Sequence, residues 1–511
     1  MFGALCKELG ATFKTGITRE YKWRASQLKG LVAMVEDHYE EFKTAISKDV
    51  GKPAIDADLT ELSTIISSAS VVRSGLKGWM NHEQHASIGL IAPAKSEVRY
   101  EPYGVVLILG PFNFPVAMLL RPLLGAIAAG NCAVLKPSEA CIESTALLTR
   151  LVPQYLDKRC FRVVTGGVPE TTALLAEPWD FILFTGSIRV GKIVAKAAAE
   201  RLTPCVLELG GKNPVVVDEH LESLEVAARR IAWGRTINAG QVCVAPEYVL
   251  VMESVASKLE SAIIRNLEQM FGPDPSQSPD LGRLISPAAV RRAQSVLKEA
   301  QAAGKVRVVH GGQTDPDARY VAPTVVRVAN TDDALDCALM QEEAFAPILS
   351  IIPVKSLDQA VELAARISGK HPLAMYVFSS RRAFQEECLA RIPSGGATVN
   401  DVIMQAASPT LPFGGCGTSG VGRYGGRDSF ETFSHRRGVI HKLLSGVSVV
   451  GDPLLRYPPF TPTKYRIFRA LMCQLPLIPP LLPAVGKLLL WVFAPVLAIV
   501  WAWQTRAAAS S

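Results

Sequence analysis

The spacing of apolar and polar residues changes period along the chain. From Tyr21, apolar positions fall three and four apart through Leu31, Val32 and Val35 to Ile46, the spacing of an amphipathic helix. Gly51-Lys52-Pro53 breaks the pattern, and a second helix is predicted over 56–75. The polarity of this region predicts a solvated helical flank. Residues 97–100 alternate like a strand. From Gly104 the texture shifts to short, mostly apolar strand-like runs, at 105–109, where β-branched residues dominate, and at 131–136, 161–164 and 181–184. Helical stretches separate them, through Leu124 to Ala129, from Pro137-Ser138-Glu139 onward, and over 189–202. Strands alternating with helices at short loop spacing predict an α/β fold with a parallel, doubly wound sheet. A second α/β segment runs from about 212 to 400, with helices at 221–231 and 253–271 and strand-like runs at 306–309 and 371–379. A Gly-rich loop, 411–420, follows. There is no internal repeat.

A chain of 511 residues is too long for one hydrophobic core, so two or three domains are expected. The net charge of +7 is modest for this length, and no basic cluster is dense enough for a nucleic-acid groove; an anionic cofactor or a membrane surface fits it better. None of the ten cysteines forms a C-x-x-C pair, and no Cys/His group has zinc spacing, so no metal is expected. The N-terminal stretch carries Lys7, Glu8 and Lys14, unlike a secretory signal. A reducing compartment follows, in which a thiolate survives.

Four places offer chemistry. Cys243 lies between a Gly-containing turn and a β-rich run at 248–251, an edge where a sulfur can face a cleft with its backbone N–H free. A lone cysteine is more often an inert small hydrophobe. Glu208 is the polar residue of an apolar strand; desolvation between Leu207 and Leu209 would raise its pKa towards that of a general base, though an edge-facing Glu reads the same way. Gly186-Ser187 opens a helix whose N–H groups could approach a pyrophosphate. Lys136 and Glu139 flank another helix start and could hold ribose hydroxyls, or simply be a solvated helix end.

Several longer motifs occur in one order: Pro-Phe-Asn-Phe-Pro (111–115), Gly-Ala-Ile-Ala-Ala-Gly-Asn (125–131), Leu-Lys-Pro-Ser-Glu (135–139), Phe-Thr-Gly-Ser (184–187), Leu-Glu-Leu-Gly-Gly-Lys (207–212), Asn-Ala-Gly-Gln-Val-Cys (238–243), Glu-Glu-Ala-Phe-Ala-Pro (342–347) and Leu-Pro-Phe-Gly-Gly (411–415). Over roughly 15–465 the chain thereby resembles the NAD(P)-dependent aldehyde dehydrogenases, in particular the class 3 branch with its membrane-bound fatty aldehyde dehydrogenases. The resemblance implies Cys243 as nucleophile, Glu208 as general base and Asn113 as oxyanion donor. It implies Lys136 and Glu139 near the adenosine ribose, Gly186 and Ser187 at the pyrophosphate, and Glu343 and Phe345 at the nicotinamide ribose. NAD and NADP both stay open. It implies an aldehyde dehydrogenase-like fold: a Rossmann-type NAD(P)-binding domain (1–84 and 102–210), an α/β catalytic domain (211–400), a small β oligomerisation element (85–101 and 401–440) and a C-terminal extension (441–474), assembled as a homodimer. The chain departs from the family pattern at Phe112, Phe114, Ile188, Val242, Ala344 and Ala346.

The tail has its own composition. Between Leu475 and Trp503 the only charge is Lys487, and Trp491, Trp501 and Trp503 suit a membrane interface. A span needs roughly 20 apolar residues, reached here if Lys487 snorkels. Lys464, Arg466 and Arg469 precede it, as expected of a cytosolic body. The expectation is a C-terminal hydrophobic helix anchoring the chain (475–503) in the endoplasmic reticulum or another organelle; a buried core helix is the alternative. The function expected is oxidation of medium- to long-chain aliphatic aldehydes to carboxylates. The rivals are a broad short-chain or aromatic specificity, a reductase or acylating enzyme using the same cysteine, and a catalytically idle membrane scaffold.

Overall fold

A computed structural model describes residues 2–87, 94–369, 371–442 and 456–473. The chain divides into two units, Met1–Asn81 with Tyr100–Arg436, and His82–Arg99 with Arg437–Ser511.

The first unit holds two large sheets. The apolar runs that begin at Val105 build the first, in the order Gly420–Val421, Cys205–Leu209, Phe181–Gly186, Val105–Leu109, Cys132–Lys136, Phe161–Val163. All neighbours are parallel except the Gly420–Val421 edge. The Val105–Leu109 and Cys132–Lys136 strands are buried along their whole length, as continuous apolar strands between helical layers must be. The second sheet runs Val306–His310, Thr324–Val328, Ile348–Val354, Tyr248–Met252, Pro214–Val217, Ala374–Phe378, Gly396–Val399. Only its Val306–His310 edge is antiparallel. The expected α/β class with parallel sheets is thus the one observed.

The N-terminal helices depart from expectation. The 21–46 pattern splits at His38 into Tyr21–Asp37 and Tyr39–Val50. The helix predicted at 56–75 is instead Ala54–Ala57, a π-helical turn Asp58–Leu62, and Ser63–Trp79. Nor are these helices a solvated flank: Leu28, Leu31, Met34, Phe42, Ile46 and Ile65 are fully buried. The π turn carries Glu61, also fully buried. Its Oε1 takes a 2.7 Å bond from the buried Lys52, and its Oε2 accepts the Val116 and Ala117 N–H groups at 2.9 and 3.0 Å. A carboxylate satisfying the first N–H groups of a helix complements its dipole. Here it fixes the start of Ala117–Ala129 and so the 111–115 turn before it. A π turn in a helix frequently marks a functional region. The helix expected from Pro137 begins at Ile142, because Asp49 of another helix caps the Glu143 and Ser144 N–H groups at 3.0 and 2.7 Å.

The second unit contains strands of a three-stranded sheet ordered Glu83–His85, Lys95–Pro102, Ser434–His441. Glu97 at its centre accepts from Arg99 at 2.7 Å and lies 3.1 Å from His441; these contacts hold its carboxyl far below the usual range. The helix Pro462–Met472 belongs to this unit. The proposed anchor at 475–503 lies outside the described residues. Among the described residues no helix is long and apolar enough to cross a membrane.

Candidate active site

Three consecutive left-handed residues, Asn238 (φ 51°), Ala239 (φ 50°) and Gly240 (φ 75°), turn the chain into the loop that carries Cys243. Gly240 is required there: a Cβ would lie 2.5 Å from the Ala346 carbonyl. The loop is tied down by side-chain amides. Asn238 Nδ2 donates to the Asn113 and Gln241 carbonyls at 3.0 and 3.1 Å; Gln241 Nε2 donates to Asn238 O at 3.1 Å and Arg283 O at 3.0 Å. Asn213 Nδ2 donates to Cys243 O at 2.8 Å and Ala245 O at 3.0 Å. Asn113 Nδ2 donates to Gln241 O at 2.9 Å, which uses one of its two N–H donors and places the amide beside the cysteine loop.

Cys243 opens into a cavity of about 250 Å³ whose walls are mainly apolar: Phe114, Met118, Trp233, Val242, Ile403 and Phe413. A larger groove, about 690 Å³, holds Glu139 but does not reach Cys243. Of the two, only the smaller one is lined by a thiol. Protein atoms surround the thiol closely enough that burial, then the charges of Glu343 and Glu208, push its pKa up to about 12; the Cys243 and Val244 backbone N–H groups act the other way. The sequence suggested an exposed thiolate. The resting side chain is instead a half-buried thiol beside two carboxyl groups.

Glu208 sits on Cys205–Leu209, level with Thr185 on one side and Gly420 on the other. It is only 2% exposed, neither carboxyl oxygen has a hydrogen-bond partner among the described residues, and burial raises its pKa well above the ordinary carboxylate value. Eight buried side-chain atoms among the described residues lack a partner, and six belong to this region: both Glu208 oxygens, Thr185 Oγ1, Asn238 Oδ1, Arg121 Nε and Glu343 Oε1. Orphaned polar atoms in a folded core are rare, and such a concentration marks a place where other groups bind.

The residues expected to hold a dinucleotide form a second set. Glu343 is half-buried, with its Oε1 shielded from solvent, and its pKa is raised by desolvation first and by the charge of Glu247 next. Its Oε2 lies where a Cβ on Gly210 would come within 2.4 Å, so only glycine fits beneath it. Phe345 takes φ 49° and meets Phe112 edge-on, centroids 5.8 Å apart. Lys136, buried at a strand end, pairs with Glu139 at 3.3 Å. Ser187 caps the helix Ile188–Glu200, accepting from the Val190 N–H at 3.3 Å. A buried carboxylate oxygen without a partner, a lysine at a strand end and a glycine before a helix start are the groups that ribose hydroxyls and a pyrophosphate require. The residues present fit an NAD(P) molecule.

Sequence reasoning missed the network behind both sets. Glu247, 2% exposed, accepts from Arg235 at 2.6 Å and Lys212 at 2.7 Å. Arg235 also donates to the carbonyls of Pro246 and Ala346, and Lys212 to those of Leu339 and Glu342. The cysteine loop and the Glu343 segment are thereby pinned to one point. The Lys212 half was visible in the Leu-Glu-Leu-Gly-Gly-Lys motif; its partner 35 residues on was not.

Comparison with known proteins agrees with this geometry. The model of the aldehyde dehydrogenase family matches residues 10–439. The chain is 42% identical over 467 residues to aldehyde dehydrogenase family 3 member B1 of Mus musculus, covering 91% of this chain and 96% of that one. The substrate-bound structure of Staphylococcus aureus AldH superposes with a TM-score of 0.84 at 38% identity, covering 91% and 98%. A Mycobacterium tuberculosis aldehyde dehydrogenase complexed with NAD+ gives 0.76 at 27% identity, covering 85% and 88%. Structures of similar fold include a complex with NADP as well.

Proposed function

Because this chain belongs to the aldehyde dehydrogenase family, an NAD(P)-dependent oxidoreductase of aldehydes, we propose that it oxidises medium- to long-chain aliphatic aldehydes to carboxylates. The observation that carries this reading is the single apolar cavity wall shared by Cys243 and bulky side chains. An alkyl chain gains about 0.8 kcal/mol for each CH₂ it buries there.

The division of labour follows from the residues. Water carries the Cys243 thiol proton to solvent, the sulfur attacks the aldehyde carbon, a C–S bond forms, and the carbonyl electron pair moves onto oxygen. The spare N–H of Asn113 and the Cys243 backbone N–H receive that oxyanion. Bound NAD(P)+ supplies the acceptor for the hydride that leaves the carbon. Glu208 takes a proton from the water that attacks the resulting thioester; the C–S bond breaks, and the thiolate departs from the carboxylate product. With its own carboxyl unpaired and its pKa raised, Glu208 is suited to that proton. Lys136 and Glu139 would hold the adenosine ribose, Gly186 and Ser187 the pyrophosphate, and Glu343 with Phe345 the nicotinamide ribose. The first sheet then serves the cofactor and the second the catalytic loop. The small three-stranded sheet serves assembly as a homodimer.

The apolar composition of 475–503 supports a tail anchor in an organelle membrane with the catalytic body in the cytosol. The basic helix Pro462–Met472 before it would meet anionic headgroups. Retention of the full chain in the membrane pellet after alkaline carbonate extraction is expected; release into the supernatant would refute anchoring.

The deciding experiment measures NAD+ and NADP+ reduction with aldehydes from acetaldehyde to hexadecanal. Expected is a kcat/KM that rises up to about fourfold per added CH₂ until the cavity is filled. Cys243→Ala should lower it by about 10⁴-fold or more. A flat or inverted length series would remove the fatty substrate, and turnover that survives Cys243→Ala would remove the mechanism.

A further inference from the structure

Arg121 is the one charged residue of the helix Ala117–Ala129, which is buried along its whole length. It is 6% exposed and lines the same cavity as Cys243. A guanidinium offers five N–H donors and never loses its charge in a protein. Here both terminal nitrogens reach one acceptor, the Ala406 carbonyl, at a long 3.4 Å, and Nε has no partner among the described residues. The Tyr424 ring lies 5.9 Å from its centre. Among the described residues no carboxylate comes within ion-pairing distance of it. The other ionisable group on the cavity wall besides the thiol, Asp56, already accepts the Asn238 N–H at 3.1 Å, and burial raises its pKa towards the neutral form. A buried charge is retained only where something compensates it, and among the described residues the long bonds to one carbonyl and the contact with one ring leave this one without a counter-charge.

We propose that Arg121 is a specificity-determining residue that binds an anionic group at the far end of the substrate, so that the preferred aldehydes are ω-oxo carboxylates: alkyl chains with the aldehyde at one end, towards Cys243, and a carboxylate at the other. Such molecules arise when an unsaturated acyl chain is oxidatively cleaved. The inference rests on the dehydrogenase reading and narrows its substrate class. The carboxylate pairs with the two-pronged face of the guanidinium, the geometry in which arginine surpasses lysine, and the intervening CH₂ groups lie against the apolar wall.

The test compares kcat/KM for ω-oxo carboxylates of four to twelve carbons with methyl-ended aldehydes of the same lengths. At the best length the wild type is expected to favour the anion by about tenfold or more. Arg121→Met should cut that ratio by about 10- to 100-fold, the range for losing a buried hydrogen-bonded charge partner. Arg121→Lys should restore part of it. Because each ratio is taken within one protein preparation, a general loss of activity cancels. A second measurement needs no variant: on the wild type, a dicarboxylate of matched length should inhibit about tenfold more tightly than the monocarboxylate. An unchanged ratio in Arg121→Met, a wild type that favours methyl-ended aldehydes at every length, or equal inhibition by the two acids overturns the inference while the dehydrogenase reading stands. Absence of Cys243-dependent turnover with both series overturns both.

Discussion

Two buried polar clusters sit a few residues apart in this protein and treat charge in opposite ways. Around Glu247, the carboxylate meets Arg235 and Lys212, and the cations find backbone carbonyls for their remaining donors. Burial alone would raise the Glu247 pKa, but the two cations more than offset it and hold the carboxylate ionised. Around Cys243, among the described residues, Glu208 has no partner for either oxygen, Arg121 has none for Nε, and the thiol is pushed up by burial and nearby carboxyl groups. Equal burial therefore gives opposite protonation, and pairing decides which. The first cluster is a fixed framework for the loops on either side. In the second, the interactions that would satisfy each group are left for substrate, water and cofactor. Unsatisfied groups of this kind cost stability, and active sites commonly carry that cost.

The contrast can be broken from either side. Glu247→Ala leaves Arg235 and Lys212 buried without their anion, and should cost about 3–5 kcal/mol, seen as a lowered urea midpoint. A midpoint within experimental error of wild type would mean the network does not hold the loops. Glu208→Gln should do the reverse: thioester hydrolysis falls by about 10²–10⁴-fold, with acyl-enzyme accumulating in a rapid burst of NAD(P)H. In the wild type the hydrolytic step should accelerate with pH through a value above the ordinary carboxylate range, a limb absent from the variant. If the limb persists in Glu208→Gln, another group is the base. Asn113→Ala should lower kcat by about 10²–10³-fold, the usual loss for one oxyanion donor; a change confined to KM would place the amide in ground-state binding.

The smallest effect concerns stability. In the fold Glu208 keeps its proton at pH values where the unfolded chain has lost it, so the native state binds more protons. Its contribution falls as pH rises from the unfolded value towards the raised one. Glutamine does not titrate, so the melting temperature of Glu208→Gln relative to wild type should climb across that window. A constant difference between pH 5 and 8 would contradict the raised value.

Much of this was legible in the chain alone. The apolar runs at 105–109, 131–136 and 181–184 announce buried parallel strands, because a strand covered on both faces has no place for alternation. The motif order was enough to identify the family and to single out Cys243, Glu208 and Asn113, and the structure gathers Cys243, Glu208 and Glu343 within electrostatic reach of one another. Periodicity failed where partners are distant. Residues 21–79 looked like a solvated flank since their charges are visible in sequence and their packing is not; Lys52 and Glu61 turned out buried against each other, holding the turn that presents Asn113. The late start of the Ile142–Tyr155 helix depends on Asp49, nearly a hundred residues earlier. Arg121 drew no notice at all in an apolar helical run. Local spacing determines which segments become strands and helices, because each such preference is settled within a few residues. Protonation, orphaned donors and the partners of buried charges are set by groups far apart in sequence, so only the tertiary structure decided which carboxylate stays ionised and which guanidinium waits for an anion.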